Sequence, residues 1–220
     1  MKLTRYQFLQ ALPAAALALA GCGASASAPA DTDELVPDHA YPLDYARQFT
    51  ADCYEGGYTL LTIPDSDQKF LVLPADAAQP VGLSADITLL RQPVENLYLV
   101  STSVMDLFVH LDALDSIRLS GTRAEGWDLP QARAAMDAGR ITYAGKYSAP
   151  DYEQILNADC GLAIENTMIL HTPEVKEQLE RFGIPVIVER SSYESGPLAR
   201  MEWIKFWGIL LGRETLAEQV

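Results

Sequence analysis

Cysteine and histidine are scarce in this chain, three of each among 220 residues. Cys22 falls in an amino-terminal leader, so only Cys53 and Cys160 remain in the body of the sequence, and two thiols set no disulfide framework. They are expected as unpaired, partly buried thiols. His39, His110 and His171 are too scattered for metal-ligand spacing on one element: His39 falls in a tether, His110 is expected partly buried on a helix, and His171 in a loop before a helix. Gly-x-Ser-x-Gly, Gly-Lys-Ser/Thr phosphate loops, Gly-x-Gly-x-x-Gly and His-Glu-x-x-His are all missing. No catalytic residue, metal or cofactor is therefore assigned, and the expectation is a protein that is not an enzyme. Positive charge is also short, with 16 Lys and Arg against 30 Asp and Glu and a net charge of −14. A surface of that sign repels phosphate backbones, which argues against a nucleic-acid partner.

What is present begins with a leader. Residues 1–21 carry Lys2 and Arg5, then the apolar run Ala11–Ala20, and Leu19-Ala20-Gly21-Cys22 follows the lipoprotein pattern in which the cysteine is lipidated after cleavage. An ordinary small-residue cleavage site is the alternative. Cleavage removes two cations and no acid, taking the charge from −14 to −16. The expected location is extracytoplasmic, at the cell membrane, held there by a lipid on Cys22. Residues 22–40 follow, and Gly23–Asp38 is rich in Ala, Ser, Pro and Asp without periodicity, which reads as a flexible tether.

The body spans 41–196. Tyr45–Tyr54, Tyr58–Ile63 and Lys69–Leu73, broken by Gly56-Gly57 and Asp65-Ser66-Asp67, read as short antiparallel strands, with Ile87–Leu90 a further strand. From Asn96 the pattern alternates. Strands are expected at Leu97–Val100, Ile117–Leu119, Ile141–Ala144, Leu162–Ile164 and Ile184–Val188, and helices at Met105–Leu111, Pro130–Ala138, after Pro150, and at Pro173–Phe182 with Thr172 as its cap. This is an α/β pattern: a doubly wound, mostly parallel sheet preceded by an antiparallel hairpin region. Residues 197–220 place Trp203, Phe206, Trp207, Leu210 and Leu211 at helical spacing.

Doubly wound folds bind ligands where strands end. Four loop groups qualify: Ser101-Thr102-Ser103, Gly145-Lys146-Tyr147-Ser148, Glu165-Asn166-Thr167 and Ser191-Ser192-Tyr193. Ser103 and Ser148 suit helix caps as well as ligand contacts. Lys146 and Tyr147 have no capping role, and a cation beside an aromatic face suits a large, flat, anionic chelate.

Tyr143-Ala-Gly-Lys-Tyr-Ser-Ala-Pro-Asp-Tyr-Glu153, Leu162-Ala-Ile-Glu-Asn-Thr-Met-Ile169, Gly183-Ile-Pro-Val186, Ser192-Tyr-Glu194 and Pro197-Leu-Ala-Arg-Met-Glu-Trp-Ile-Lys205 together resemble the amino-terminal lobe of substrate-binding lipoproteins of ABC importers for iron–siderophore, haem and cobalamin. The resemblance runs from about Tyr45 to Leu211. It implies a single lobe of a class III periplasmic-binding-protein fold that captures a small-molecule metal chelate unchanged and delivers it to an ABC permease. Thr102, Ser103, Lys146, Tyr147, Glu165, Asn166 and Tyr193 would bind the ligand, and Glu153, early in its helix with Tyr152, Ile155 and Leu156 turned to the sheet, would dock an arginine of the permease. Residues 197–220 would begin a helix leading to a second lobe, for which the sequence has no counterpart. The family tends to carry His where Gly196 stands and Gly where Ala199 stands, so Gly196 is not assigned to binding. Two other readings are a surface lipoprotein that binds a partner protein and an unrecognised cell-surface hydrolase.

Overall fold

The computed structural model describes residues 35–80 and 82–220. The leader, Cys22 and most of the tether lie outside the described residues.

Two five-stranded sheets make the framework. The first holds β1 (Pro37–Ala40), β2 (Thr50–Tyr54), β3 (Tyr58–Ile63), β4 (Gln68–Leu73) and β5 (Ile87–Arg91) in sequential order. Its first three pairings are antiparallel and β4 lies parallel to β5. Gly56 and Gly57, both at positive φ, turn β2 into β3, as their sequence position suggests. The expected tether needs correcting at its end. Pro37–Ala40 is fully exposed yet ordered as a strand, because its backbone pairs with β2 although its side chains bury nothing.

The second sheet is wholly parallel. After β6 (Leu97–Leu99) come α1 (Met105–His110), β7 (Ile117–Ser120), α2 (Pro130–Asp137), β8 (Thr142–Tyr143) and a small hairpin of β9 (Gly145–Lys146) and β10 (Ala149–Pro150). Then follow α3 (Tyr152–Asn157), β11 (Leu162–Glu165), α4 (Pro173–Arg181) and β12 (Val186–Val188). The strand order is β12-β11-β6-β7-β8. The chain winds one way from β6 and the other way from β11, so the switch point lies between those two strands. Strand alternation sends Leu97, Leu99, Ile164 and Ile187 to one face, with α1 and α2, and Tyr98, Ala163, Val186 and Val188 to the other, with α3 and α4. The doubly wound expectation is met.

The last segment is three helices rather than one: α5 (Pro197–Met201), α6 (Trp203–Leu211) and α7 (Glu214–Gln219). Gly212 at φ 64 ends α6 in the left-handed conformation that glycine supplies cheaply. Eight of the nine α6 residues are buried, because the helix shares one core with Phe49 before β2 and with inward residues of both sheets, among them Leu61, Phe70, Leu99 and Ile164. Phe49 meets Trp203 and Phe206 edge-on at 4.9 and 5.3 Å.

Two buried carboxylates hold the chain that enters this core. Glu202 accepts the amides of Asp44, Tyr45 and Ala46 at 2.7–2.8 Å and an ammonium hydrogen bond from Lys205 at 2.9 Å. Glu194 accepts the amides of Arg47 and Gln48 and the Trp203 indole N–H, all at 2.9–3.0 Å. Five consecutive backbone donors that belong to no strand are thereby satisfied. Between the sheets, the Gln68 amide grips the outer side of β12: its Oε1 accepts from Val188 N at 2.9 Å and its Nε2 donates to Val188 O at 3.1 Å.

Smaller differences have local causes. Thr172 does not cap α4 with its side chain; its hydroxyl instead donates to Ile169 O. His110 is exposed rather than partly buried, on the outer side of α1, 3.8 Å from Asp106. His39 belongs to β1, and His171 is exposed before α4. Cys53 and Cys160 are unpaired and partly buried, and burial pushes both thiols up, Cys160 to about 11.

Candidate functional site

All four expected loop groups follow carboxyl ends of the parallel strands, so they share one edge of the sheet. Their spacing along that edge is unequal. Thr102 and Ser103 follow β6, Glu165 ends β11 and Asn166 follows it, flanking the switch point, and Tyr193 follows β12 next to them. Lys146 and Tyr147 follow β8, four strand intervals from β12, roughly 19 Å at about 4.8 Å per interval. The hairpin that carries them is tied back towards the middle of the sheet, because the Tyr98 hydroxyl on β6 donates to Gly145 O at 2.8 Å.

At the switch point the centre is a residue that sequence reading missed. Glu189, buried just past β12, accepts Ser101 Oγ at 2.6 Å, Ser103 Oγ at 2.7 Å and Ser191 N at 2.7 Å. Its carboxylate joins the loops after β6 and β12 across the intervening β11. Ser103 is thus committed to Glu189 and caps no helix; Thr102 beside it is exposed. The Tyr193 hydroxyl lies 3.4 Å from Thr167 Oγ1, linking the β12 loop to the β11 loop. Asn166 is occupied locally, its side chain accepting Met168 N at 2.9 Å to start the 3-10 turn Thr167–His171.

Glu165 is placed differently from the expectation of an open ligand contact. It is 0% exposed, and neither carboxyl oxygen has a hydrogen-bond partner. Register sets it between Val188 and the residue after Leu99, Val100, on the apolar α3–α4 face. Burial with nothing to offset it pushes its carboxyl up to about 8.

At the far end, Gly145 has φ 86, and a Cβ there would collide with Ala149 O and Pro150 Cα. Only glycine fits this tight hairpin. Ser148 lies at the hairpin tip; the helix cap is Asp151, which accepts Gln154 N at 3.0 Å. Lys146 is exposed, while Tyr147 is half buried against the α3–α4 core. Glu153 is exposed on the first turn of α3, as expected, but Leu156 is exposed too, so only Tyr152 and Ile155 turn inward. Two cation–aromatic pairs on the edge also escaped sequence reading: Arg123 lies 4.0 Å over the Tyr143 ring, and Arg190 4.4 Å over the Tyr193 ring. Arg123 meets Tyr143 only because the fold brings the loop after β7 to the end of β8, whereas Arg190 and Tyr193 lie three residues apart on one turn. A cleft of about 460 Å³ beside the start of β12 contains Lys69 and Lys176, but both are already paired, with Asp86 and Glu180. It offers a ligand no free cation.

No protein-family model and no curated protein matches the chain. Among solved structures, it is similar to the periplasmic haem-binding protein HutB of Vibrio cholerae, at 17% identity and a TM-score of 0.45 over 57% of this chain and 44% of that one. It is similar to an ABC-type Fe3+-hydroxamate transport protein of Saccharomonospora viridis, at 23% identity and a TM-score of 0.43 over 58% and 46%. Staphylococcus aureus SirA, solved with staphyloferrin B, aligns at 16% identity and a TM-score of 0.41 over 59% and 41%. The chain spans less than half the length of each of these proteins.

Proposed function

We propose that this chain is an extracytoplasmic solute-binding module of an ABC importer, anchored by a lipid on Cys22, that captures a metal chelate and passes it unchanged to the permease. The observation that carries the reading is the gathering of the four loop groups on one carboxyl edge, with a switch point between β6 and β11. The sequence motifs that resemble the amino-terminal lobe of iron–siderophore, haem and cobalamin binding proteins supply the ligand class. In this reading Thr102, Ser103, Asn166 and Tyr193 line the switch-point side, Lys146 and Tyr147 the hairpin side, and Glu165 lies beneath them. Arg123 adds positive charge to the rim of an otherwise acidic protein, which favours an anionic chelate, while Arg190 is already paired with Asp65 at 2.9 Å.

The test is a binding screen of the purified chain against ferric siderophores, haem and cobalamin, read by tryptophan fluorescence and thermal shift. Saturable binding of one of them that weakens about tenfold or more in Lys146→Ala and Tyr193→Ala supports the reading; no binding, or binding indifferent to both substitutions, overturns it. Glu153, exposed and without an ion pair among the described residues, is the proposed permease contact. Glu153→Arg is expected to abolish uptake in cells while leaving the affinity of the purified protein unchanged.

A further inference from the structure

Among the described residues, Glu165 is the buried carboxylate of this edge that has no hydrogen-bond partner. Glu189, one strand away, has three donors; Glu165 has none, on either oxygen. A polar group in such a slot costs free energy in any protonation state, and far more when charged. Its surroundings supply no cation. On β6 the facing titratable group is the Tyr98 phenol, whose proton goes to Gly145 O. On α3 it is Tyr152, and Glu165 raises both phenols further after burial has done so. Tyr143 and Cys160 lie beyond Tyr98, while Glu174 and Arg181 of α4 act on Tyr152 rather than on Glu165. From β12 the neighbour in register is Val188. Within the sheet and against α3, the cover is packed core.

α4 adds Val175 and Leu179 to that core, but the segment that follows Glu165 in the chain is thinly held. The 3-10 turn Thr167–His171 is held by the Asn166 cap and by one buried side chain, Ile169, while Met168 and Leu170 point to solvent at 46% and 55% exposure. That turn begins two residues after Glu165 and touches the rim through Thr167 and Tyr193.

We propose that Glu165 is a proton-operated latch for the rim: protonated, it stays beneath the Thr167–His171 turn; ionised, it must reach water, and the turn lifts from the sheet to admit it. The site is then closed while Glu165 holds its proton and loosened once the proton leaves. This deepens the proposed function by naming a regulation of the same site and rests on that reading for the use of the edge. The latch itself needs no ligand to operate.

The experiment is hydrogen exchange on the ligand-free full chain from pH 6 to 9.5, corrected for the intrinsic pH dependence of exchange, on the native protein and on Glu165→Gln. Protection of residues 166–171 is expected to fall about tenfold per pH unit from pH 6 to about 8 and to level off beyond in the native chain, and to stay flat in Glu165→Gln, while residues 203–211 change in neither. Identical profiles in the two proteins overturn the proposal. Should Glu165→Gln not fold, the carboxyl carbon of Glu165, followed by NMR in the native chain, decides: titration in the ordinary glutamate range, or exchange at 166–171 independent of pH, overturns it. Because no chelate is present, a failed binding screen leaves this result standing, and a failed latch leaves the screen standing.

Discussion

Two buried glutamates of this protein occupy opposite settings. Glu202 sits where burial alone would raise its carboxyl, but three backbone amides and Lys205 outweigh that and hold it near 2. Glu165 is buried with no donor and rises to about 8. The same side chain thus marks a fixed joint in one place and a strained position in the other. The joint fastens residues 44–46 to the end of α5, beside the helix that fills the shared core. The strained position lies under the loops proposed to bind a ligand. Charge alone does not separate the two; the count of donors does.

The comparison breaks most easily at the joint. Glu202→Ala orphans three amides of a part-buried bend in which Ala46 is fully buried, at about 1–3 kcal/mol each, so a loss of roughly 3–5 kcal/mol in unfolding free energy by urea titration is expected. Trp203→Ala removes a fully buried ring and the donor to Glu194, with a cost of the same size, about 3–5 kcal/mol. A loss under about 1 kcal/mol in both would mean that the 44–48 segment is not held this way.

Next in size is the pH dependence. The folded-state value of Glu202 lies below the unfolded one, so its contribution is complete above about pH 4.5 and disappears as pH falls towards 2. Glu165 has the reverse sign: the folded state binds its proton more tightly, so stability falls as pH rises from about 4.5 to about 8 and levels off beyond. Glu165→Gln should erase that decline and raise stability at pH 8.5 by about 2 kcal/mol or more, whereas at pH 4 it should change little. Chemical denaturation at the two pH values separates the cases.

Smaller effects sharpen the comparison at the rim. Gly145→Ala cannot keep φ 86 or clear Ala149 and Pro150, and a loss of about 1–3 kcal/mol is expected, with the hairpin disordered in NMR spectra. Lys146→Ala, exposed and unpaired among the described residues, should shift stability by no more than about 0.5 kcal/mol. Any larger shift would show that the hairpin cation belongs to the scaffold.

The sequence made the layering legible because its alternation is regular: most expected strands and helices between glycine and proline stops fall close to the observed elements, but the strand expected at Tyr45–Tyr54 begins only at Thr50 and that at Ile141–Ala144 shrinks to Thr142–Tyr143. The break of the last segment at Glu202 was not legible, since the helical spacing of Trp203, Phe206, Trp207 and Leu210 lies wholly on one side of it and the partners of Glu202 are amides 156–158 residues away. At the site, residue type located the loops, but not what each side chain does there. Ser103 and Asn166 are occupied by Glu189 and Met168, and Glu165 is turned inward by the two-residue period of its strand. Glu189 reaches Ser101 and Ser103, Arg190 reaches Asp65 and Arg123 reaches Tyr143 only through tertiary placement, which no local pattern records.

The grip of Gln68 on Val188 has a further consequence. β12 is the outermost strand of the parallel sheet, and a bare outermost strand is a template on which another chain can lengthen the sheet. By occupying both outward main-chain groups of Val188, one amide side chain imitates the next strand while being too short to propagate it, and so ends the sheet against its own kind.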